Sequence, residues 1–212
     1  MVQKKVKVSV YSDYICPFCY IGFDRIVKLK EQFDLDVEWQ PFEIHPETPK
    51  EGITLEKLLI PGEYLDMVKS NVIRLAAEAG IKLKFSTKLP NSRLALYVSE
   101  FAKKKGKFDE FHQLVFNSYW KEGKDIGDLS LLLDLAESIG LNKDEILSYI
   151  ESDEPSKKLR EVSLKLSKYR INGVPTFFIG DKIVVGAQPY NVFEKVIKKV
   201  LEEDKMANES EA

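Results

Sequence analysis

Both cysteines of this 212-residue chain fall within four positions, Cys16-Pro17-Phe18-Cys19. Two thiols at this spacing close into a disulfide and reopen with little backbone movement. A chain that uses cysteine only as one close pair uses it for chemistry rather than stapling. The neighbouring residues supply the setting. Val6, Val8 and Val10 alternate as in a strand, while Ile26, Leu29 and Phe33 recur at helical spacing after the motif. The pair therefore lies where a strand passes into a helix, and a helix N-terminus stabilises a thiolate. In such a pair the first sulfur faces solvent nearest the unpaired N–H groups. Cys16 is accordingly the predicted nucleophile and Cys19 the predicted resolving thiol. Pro17 suits the first helical turn, where its missing N–H costs little. Phe18 carries no charge and adds no cationic help. Tyr14 and Tyr20 fit either as apolar walls of the site or as plain packing residues.

Hydrophobic residues make up 44% and charged residues 31%, with a net charge of -2, which is the balance of a soluble globular protein. No basic face points to nucleic acid. No apolar run approaches a membrane span. The Met1–Lys5 segment has no apolar core of the signal-peptide kind, so a cytoplasmic location is expected. In that reducing compartment a lone Cys-x-x-Cys is redox-active or metal-binding. A structural zinc site needs four ligands, usually in two close pairs, and His45 and His112 are too far apart to form the second pair. No metal is expected, and both histidines read as surface or packing residues.

Periodicity divides the chain into three stretches. Residues 1–53 read strand, helix, strand, with Pro41 ending or edging the second strand. Residues 54–170 are helical throughout. Leu94, Tyr97, Val98 and Phe101 form one such face, with Asn91 as its expected cap and Gly106 as its stop. Asp128 and the Asn142/Glu145 pair are expected to cap two further helices. Pro155 opens the last, whose buried face would be Leu159, Val162, Leu166 and Tyr169. Residues 171–203 read as a hairpin turning at Gly180-Asp181 and a helix opened by Pro189. The polar tail, 204–212, is expected to be frayed and disordered. The outer pieces are too small to fold alone. They make sense as halves of one mixed α/β sheet with the helical block inserted between them.

A second signal, Gly173-Val174-Pro175-Thr176-Phe177, places a proline at the opening of a strand. Alone it fits an edge, a cis turn or an ordinary trans turn. Together with strand–Cys-x-x-Cys–helix, it resembles the thioredoxin fold, and the helical insertion before it resembles the DsbA-like branch. Three stretches are similar to the cytoplasmic FrnE-type subfamily: Ser12 to Gly22, Trp39-Gln40-Pro41-Phe42-Glu43-Ile44-His45-Pro46, and Gly186-Ala187-Gln188-Pro189. The resemblance covers nearly the whole chain. It implies a cis Pro175 packed beside the cysteines and a Val174 backbone that pairs with an extended substrate. The helical block would form one wall of the substrate groove. Pro17, Phe18, Val174 and Pro175 are the expected substrate contacts. Asn91 and His45 lie in or near family-like stretches without an assignable role.

The expected activity is thiol–disulfide exchange with protein or peptide thiols and disulfides. It needs no cofactor beyond the Cys16–Cys19 pair, with glutathione as an optional co-substrate and a recycling redox partner still to be identified. Monomer and homodimer both fit. The alternative is a glutathione-dependent isomerase or kappa-class glutathione transferase-like enzyme. Those proteins resemble the chain along its length but typically carry serine at the Cys16 position. A chaperone-like binding module is a third reading. DsbA proteins of the periplasm carry histidine between their cysteines, where this chain has Phe18. The pair should therefore be less oxidising than theirs, and a redox titration giving a potential as high as that of DsbA would refute this.

Overall fold

The computed structural model describes residues 5–57 and 61–210. The chain begins with β1 (Val6–Ser12), α1 (Pro17–Lys30) and β2 (Leu35–Pro41). A minor strand β3 (Ile53–Thr54), helix α2 (Gly62–Ala79) and strand β4 (Lys88–Leu89) follow. Next come α3 (Arg93–Lys104), α4 (Phe108–Trp120), α5 (Leu129–Ser138), α6 (Lys143–Glu151) and α7 (Glu154–Lys168). The chain closes with β5 (Thr176–Ile179), β6 (Lys182–Val185) and α8 (Tyr190–Ser210).

The main sheet has the order β2-β1-β5-β6, so the two ends of the chain share one sheet. β1 runs parallel to β2 and antiparallel to β5. Its register sets Val10 opposite Phe177 and Tyr11 opposite Thr176. That pairing brings the turn after β1, which carries Cys16, alongside Val174 and Pro175. β5 and β6 form the expected hairpin, with Gly180 at φ 58°. Pro41 ends the edge strand β2, where a missing N–H disturbs no central ladder.

Two apolar cores meet at the sheet. Val6, Val8 and Val10 pack with Ile26 and Leu29 of α1 and Phe193, Ile197 and Val200 of α8. Leu96, Phe101, Phe111, Phe116, Leu132 and Val162 form the centre of the helical block, and this second core extends to Tyr14, Cys16 and Cys19. The cysteines thus belong to the seam between sheet and helices.

The structure corrects several local expectations. Residues 54–170 are not wholly helical: β3 and β4 form a small antiparallel sheet, too short to show as alternation. Asn91 does not cap α3, since Ser92 is the N-cap residue; the Asn91 side chain instead accepts from Arg93 N–H at 2.9 Å in a turn just before the helix. Asp128 and Asn142 do cap α5 and α6. Tyr169 leaves the buried face of α7 and lies exposed, its ring edge-on to Phe178. The last helix continues to Ser210, past the Asp204 where fraying was expected; (i, i+4) pairs such as Lys199–Glu203 support its polar face. No described helix is long and apolar enough to cross a membrane.

Gly22 sets the distance between α1 and the sheet. A Cβ at this position would lie 2.9 Å from Phe177 Cζ and 3.3 Å from Pro175 Cγ. Phe177 is fully buried and braced edge-on by Phe193, so its ring has nowhere to go. Helix propensity alone would make Gly22→Ala stabilising by about 1 kcal/mol. The clash predicts the opposite sign, a net loss of about 1–3 kcal/mol in chemical denaturation, because an overpacked core must shift backbone.

Candidate active site

Cys16 is the N-cap residue of α1, in extended backbone, with Pro17 in the first helical turn and no acidic residue there to oppose a thiolate. Its carbonyl accepts the first helical bonds from Cys19 and Tyr20 N–H. The helix dipole therefore points its positive end at the Cys16 position. Across the turn, Cys16 Sγ lies 3.4 Å from the carbonyl oxygen of Val174, and the Val174–Pro175 peptide is cis. Pro17 and Phe18 are part-exposed, whereas Cys19 is completely buried one helical turn on. Burial pushes the Cys19 thiol well above the usual cysteine range, and its hydrogen bond and proximity to Cys16 push the same way. The Asp13 backbone and the Ser12 hydroxyl act weakly against this. Cys16 is itself buried, at 6% exposure, so its sulfur does not face open solvent as the motif alone suggested; it sits at the N-terminal end of the helix, while Cys19 remains a protonated thiol in a dry site.

The turn between β1 and α1 is held from below by polar groups. Asp13 is fully buried, and its carboxylate accepts from Ile44 N–H at 2.8 Å, from Ile15 N–H at 3.3 Å and from Ser92. Burial dominates and pushes its pKa up to about 6, although all three hydrogen bonds favour the ionised form. The Trp120 indole donates to the Tyr14 carbonyl at 2.8 Å. The Tyr14 hydroxyl shares a 2.8 Å hydrogen bond with His112 Nδ1. His112 is enclosed by Phe23, Trp39, Phe108 and Phe116, and burial pushes its pKa well below the ordinary histidine range, so the ring is neutral. His112 is therefore a packing residue. His45 pairs with Glu47 at the surface. Tyr20 is buried and donates to Asn117. Among the described residues no cluster of metal-ligating side chains occurs.

The cleft beside the motif is lined by Phe18 and Val174, by Asn71, Arg74 and Leu75 of α2, and by Ala187 and Gln188. Its volume is about 320 Å³. A larger cleft of about 750 Å³ lies between α1, α4 and residues 80–84; neither cleft is lined by a cysteine, but only the smaller one is lined by Phe18 and Val174.

The sheet order, the cysteine pair at the start of α1 and the cis proline facing it define a thioredoxin-type site, and the family model for the DSBA-like thioredoxin domain matches residues 7–198. The chain belongs to this family. YwbO of Bacillus subtilis (strain 168) is 33% identical over 202 residues, covering 91% of this chain and 96% of YwbO. The 2-hydroxychromene-2-carboxylate isomerase of Pseudomonas sp. (strain C18) is 24% identical over 199 residues, covering 91% and 90%. Among solved structures, a probable DsbA oxidoreductase from Streptomyces coelicolor superposes with a TM-score of 0.81 at 22% identity, covering 93% of this chain and 91% of that one. The members of this DsbA-like family are oxidoreductases or isomerases, which supports an enzymatic role for the chain.

The residues expected at the site come together: Cys16, Cys19, Pro17 and Phe18 on α1, with Val174 and Pro175 opposite. Sequence reasoning missed Asp13, which stands inside a quoted stretch without being singled out. An acid directly after an apolar strand, at its junction with a helix, was the available signal. Arg74 was missed because it reads as an ordinary exposed helical residue.

Asp13 gives the fold a pH dependence with a definite sign. Its pKa is raised on folding, so the unfolded chain ionises first and stability falls as pH rises from about 4 to about 6. Asp13→Asn removes that titration. The stability difference, variant minus wild type, should move in the variant's favour by up to about 3 kcal/mol between about pH 4 and pH 7. Denaturation curves at the two pH values measure it, and a difference independent of pH would contradict the assignment.

Proposed function

We propose that the protein is a thiol–disulfide oxidoreductase of the FrnE-type branch, acting on protein or peptide substrates, with Cys16 as nucleophile and Cys19 as resolving thiol. The observation that carries this reading is the asymmetry of the pair: Cys16 Sγ at the helix N-terminus, 3.4 Å from the Val174 carbonyl, against a Cys19 buried and held as a thiol. In the reducing direction the Cys16 thiolate attacks one sulfur of a substrate disulfide. The substrate S–S bond breaks, a Cys16–substrate disulfide forms, and the departing substrate sulfur takes a proton. Cys19 then gives up its proton and attacks Cys16, releasing the second substrate sulfur as a thiol. The substrate gains the two electrons that the pair loses. The reverse sequence oxidises a dithiol, and a separate thiol or disulfide partner returns the pair to its starting state. The Val174 backbone, across the turn from Cys16, supports strand-like pairing with an extended substrate.

A glutathione-dependent isomerase is the second reading, favoured by the full-length likeness to the Pseudomonas isomerase. Isomerisation transfers no net electrons and has no use for a resolving thiol, whereas this chain places one directly behind Cys16.

Two substitutions separate the readings. Cys16→Ser should reduce insulin disulfide reduction to background, while Cys19→Ser should accumulate mixed disulfides visible on non-reducing gels. Full activity in Cys16→Ser would sink the mechanism, and glutathione-dependent isomerisation that survives Cys19→Ser would favour the second reading. Iodoacetamide on the native reduced protein should label Cys16 well ahead of Cys19, because Cys19 is completely enclosed and burial holds it as a thiol, whereas Cys16 keeps slight exposure at the helix N-terminus.

A further inference from the structure

The cleft beside the motif has an uneven chemical lining. Phe18, Leu75 and Val174 supply apolar surface, and Asn71 and Gln188 supply amides. Arg74 is the one charged side chain among the described residues that line it. Asn71, Arg74 and Leu75 lie three and four residues apart on α2, so they share one face of that helix. The cleft's volume of about 320 Å³ falls within the range of small-ligand sites.

The Arg74 guanidinium is held in place. Nη2 donates to Asn71 Oδ1 at 2.9 Å and Nη1 donates to Glu78 Oε1 at 2.5 Å. These bonds use two of the five N–H donors of a guanidinium. Glu78 sits one helical turn further on, offsets part of the positive charge and does not line the cleft. A planar guanidinium with donors to spare suits a carboxylate. Substrate bound against Phe18 and Val174 must lie across this face of α2, because those residues line the same cleft.

We propose that Arg74 makes the site selective for peptide disulfides that carry a carboxylate beside the reacting cysteine. This rests on the reading of Cys16 as the attacking sulfur. Arg74 makes no contact with the reacting atoms. It acts as a specificity-determining residue, through substrate binding. Its side chain is solvent-accessible, so the preference is modest and screened by salt.

Three matched peptide disulfides test this, differing only in having Asp, Asn or Lys beside the cysteine. At low ionic strength the wild-type protein should rank them Asp over Asn over Lys, with about a threefold step in kcat/KM each time, carried mainly by KM. Arg74→Gln should abolish the ranking and raise KM most for the Asp peptide. Glu78→Gln should widen it, by removing the charge that competes for the guanidinium, an effect that a merely structural Arg74 would not produce. If the wild-type protein turns over the Asn peptide but treats all three alike, or if the ranking survives Arg74→Gln, the inference fails and the oxidoreductase reading stands. If no peptide is turned over, both fall.

Discussion

The close approach of α1 to β5 at Gly22 is the constraint on which the site depends. Cys16 and Val174 are 158 positions apart, yet Sγ must lie within a few ångströms of one carbonyl. The β1–β5 register brings the two turns side by side, but it does not set how far the helix stands above the sheet. That height is set where the Gly22 backbone rests on the Pro175 and Phe177 rings. Phe177 in turn rests on Phe193 of α8. The position of the nucleophile is therefore determined by a stack that runs through both ends of the chain. A side chain at Gly22 would tilt or lift the helix that carries both sulfurs.

The second determinant is how dry the floor of the site is. Cys19, Asp13, Tyr14 and His112 are all buried, and burial drives each toward its neutral form. Asp13 alone receives enough hydrogen bonds to remain ionised at neutral pH, and its three partners lie on three segments: the motif turn, the chain after β2, and the start of α3. Unpaired, those buried donors would cost about 1–3 kcal/mol each. The many surface ion pairs are weak by comparison. The acid thus braces the turn from beneath, as the one ionised group on an otherwise neutral floor.

The sequence exposed the parts of this arrangement that are local. Alternation in Val6–Val10, the Cys-x-x-Cys, the Gly180-Asp181 hairpin and the caps at Asp128 and Asn142 each follow from residues adjacent in the chain, and each appears in the structure. The facing of Val174-Pro175 and Cys16 was legible only through family resemblance, because no local pattern ties positions so far apart. Two of the misreadings share one physical cause. Tyr169 and the 204–210 segment were judged on hydrophobicity alone, whereas their environment is decided by what else packs there. Tyr169 meets Phe178 from outside the core, and the tail is a continuation of a helix whose preceding turns are anchored by Phe193, Ile197 and Val200. Asp13 and Gly22 were passed over because their importance lies in partners contributed by distant elements.

The division of labour between the inserted helices and the sheet follows from how α2 is attached. Most of the helical block shares one large core with the cysteine turn, but α2 does not. Its buried residues Val72, Leu75 and Ala76 join Ile21 and Ala187 in a small separate cluster. Ile21 follows Cys19 by two positions on α1, and Ala187 lies in the segment after β6 that borders the cleft. The wall bearing Arg74 is therefore fastened to the motif helix itself and to the segment beside Val174, rather than to the bulk of the inserted helices. Chemistry and selection are thereby kept in one frame. The wall bearing Arg74 and the helix bearing the sulfurs thus share one apolar contact, which sets the distance from a substrate's cysteine to its neighbouring side chain. The outward face of α2 is free to vary without disturbing the redox pair, since nothing in the main core rests on it.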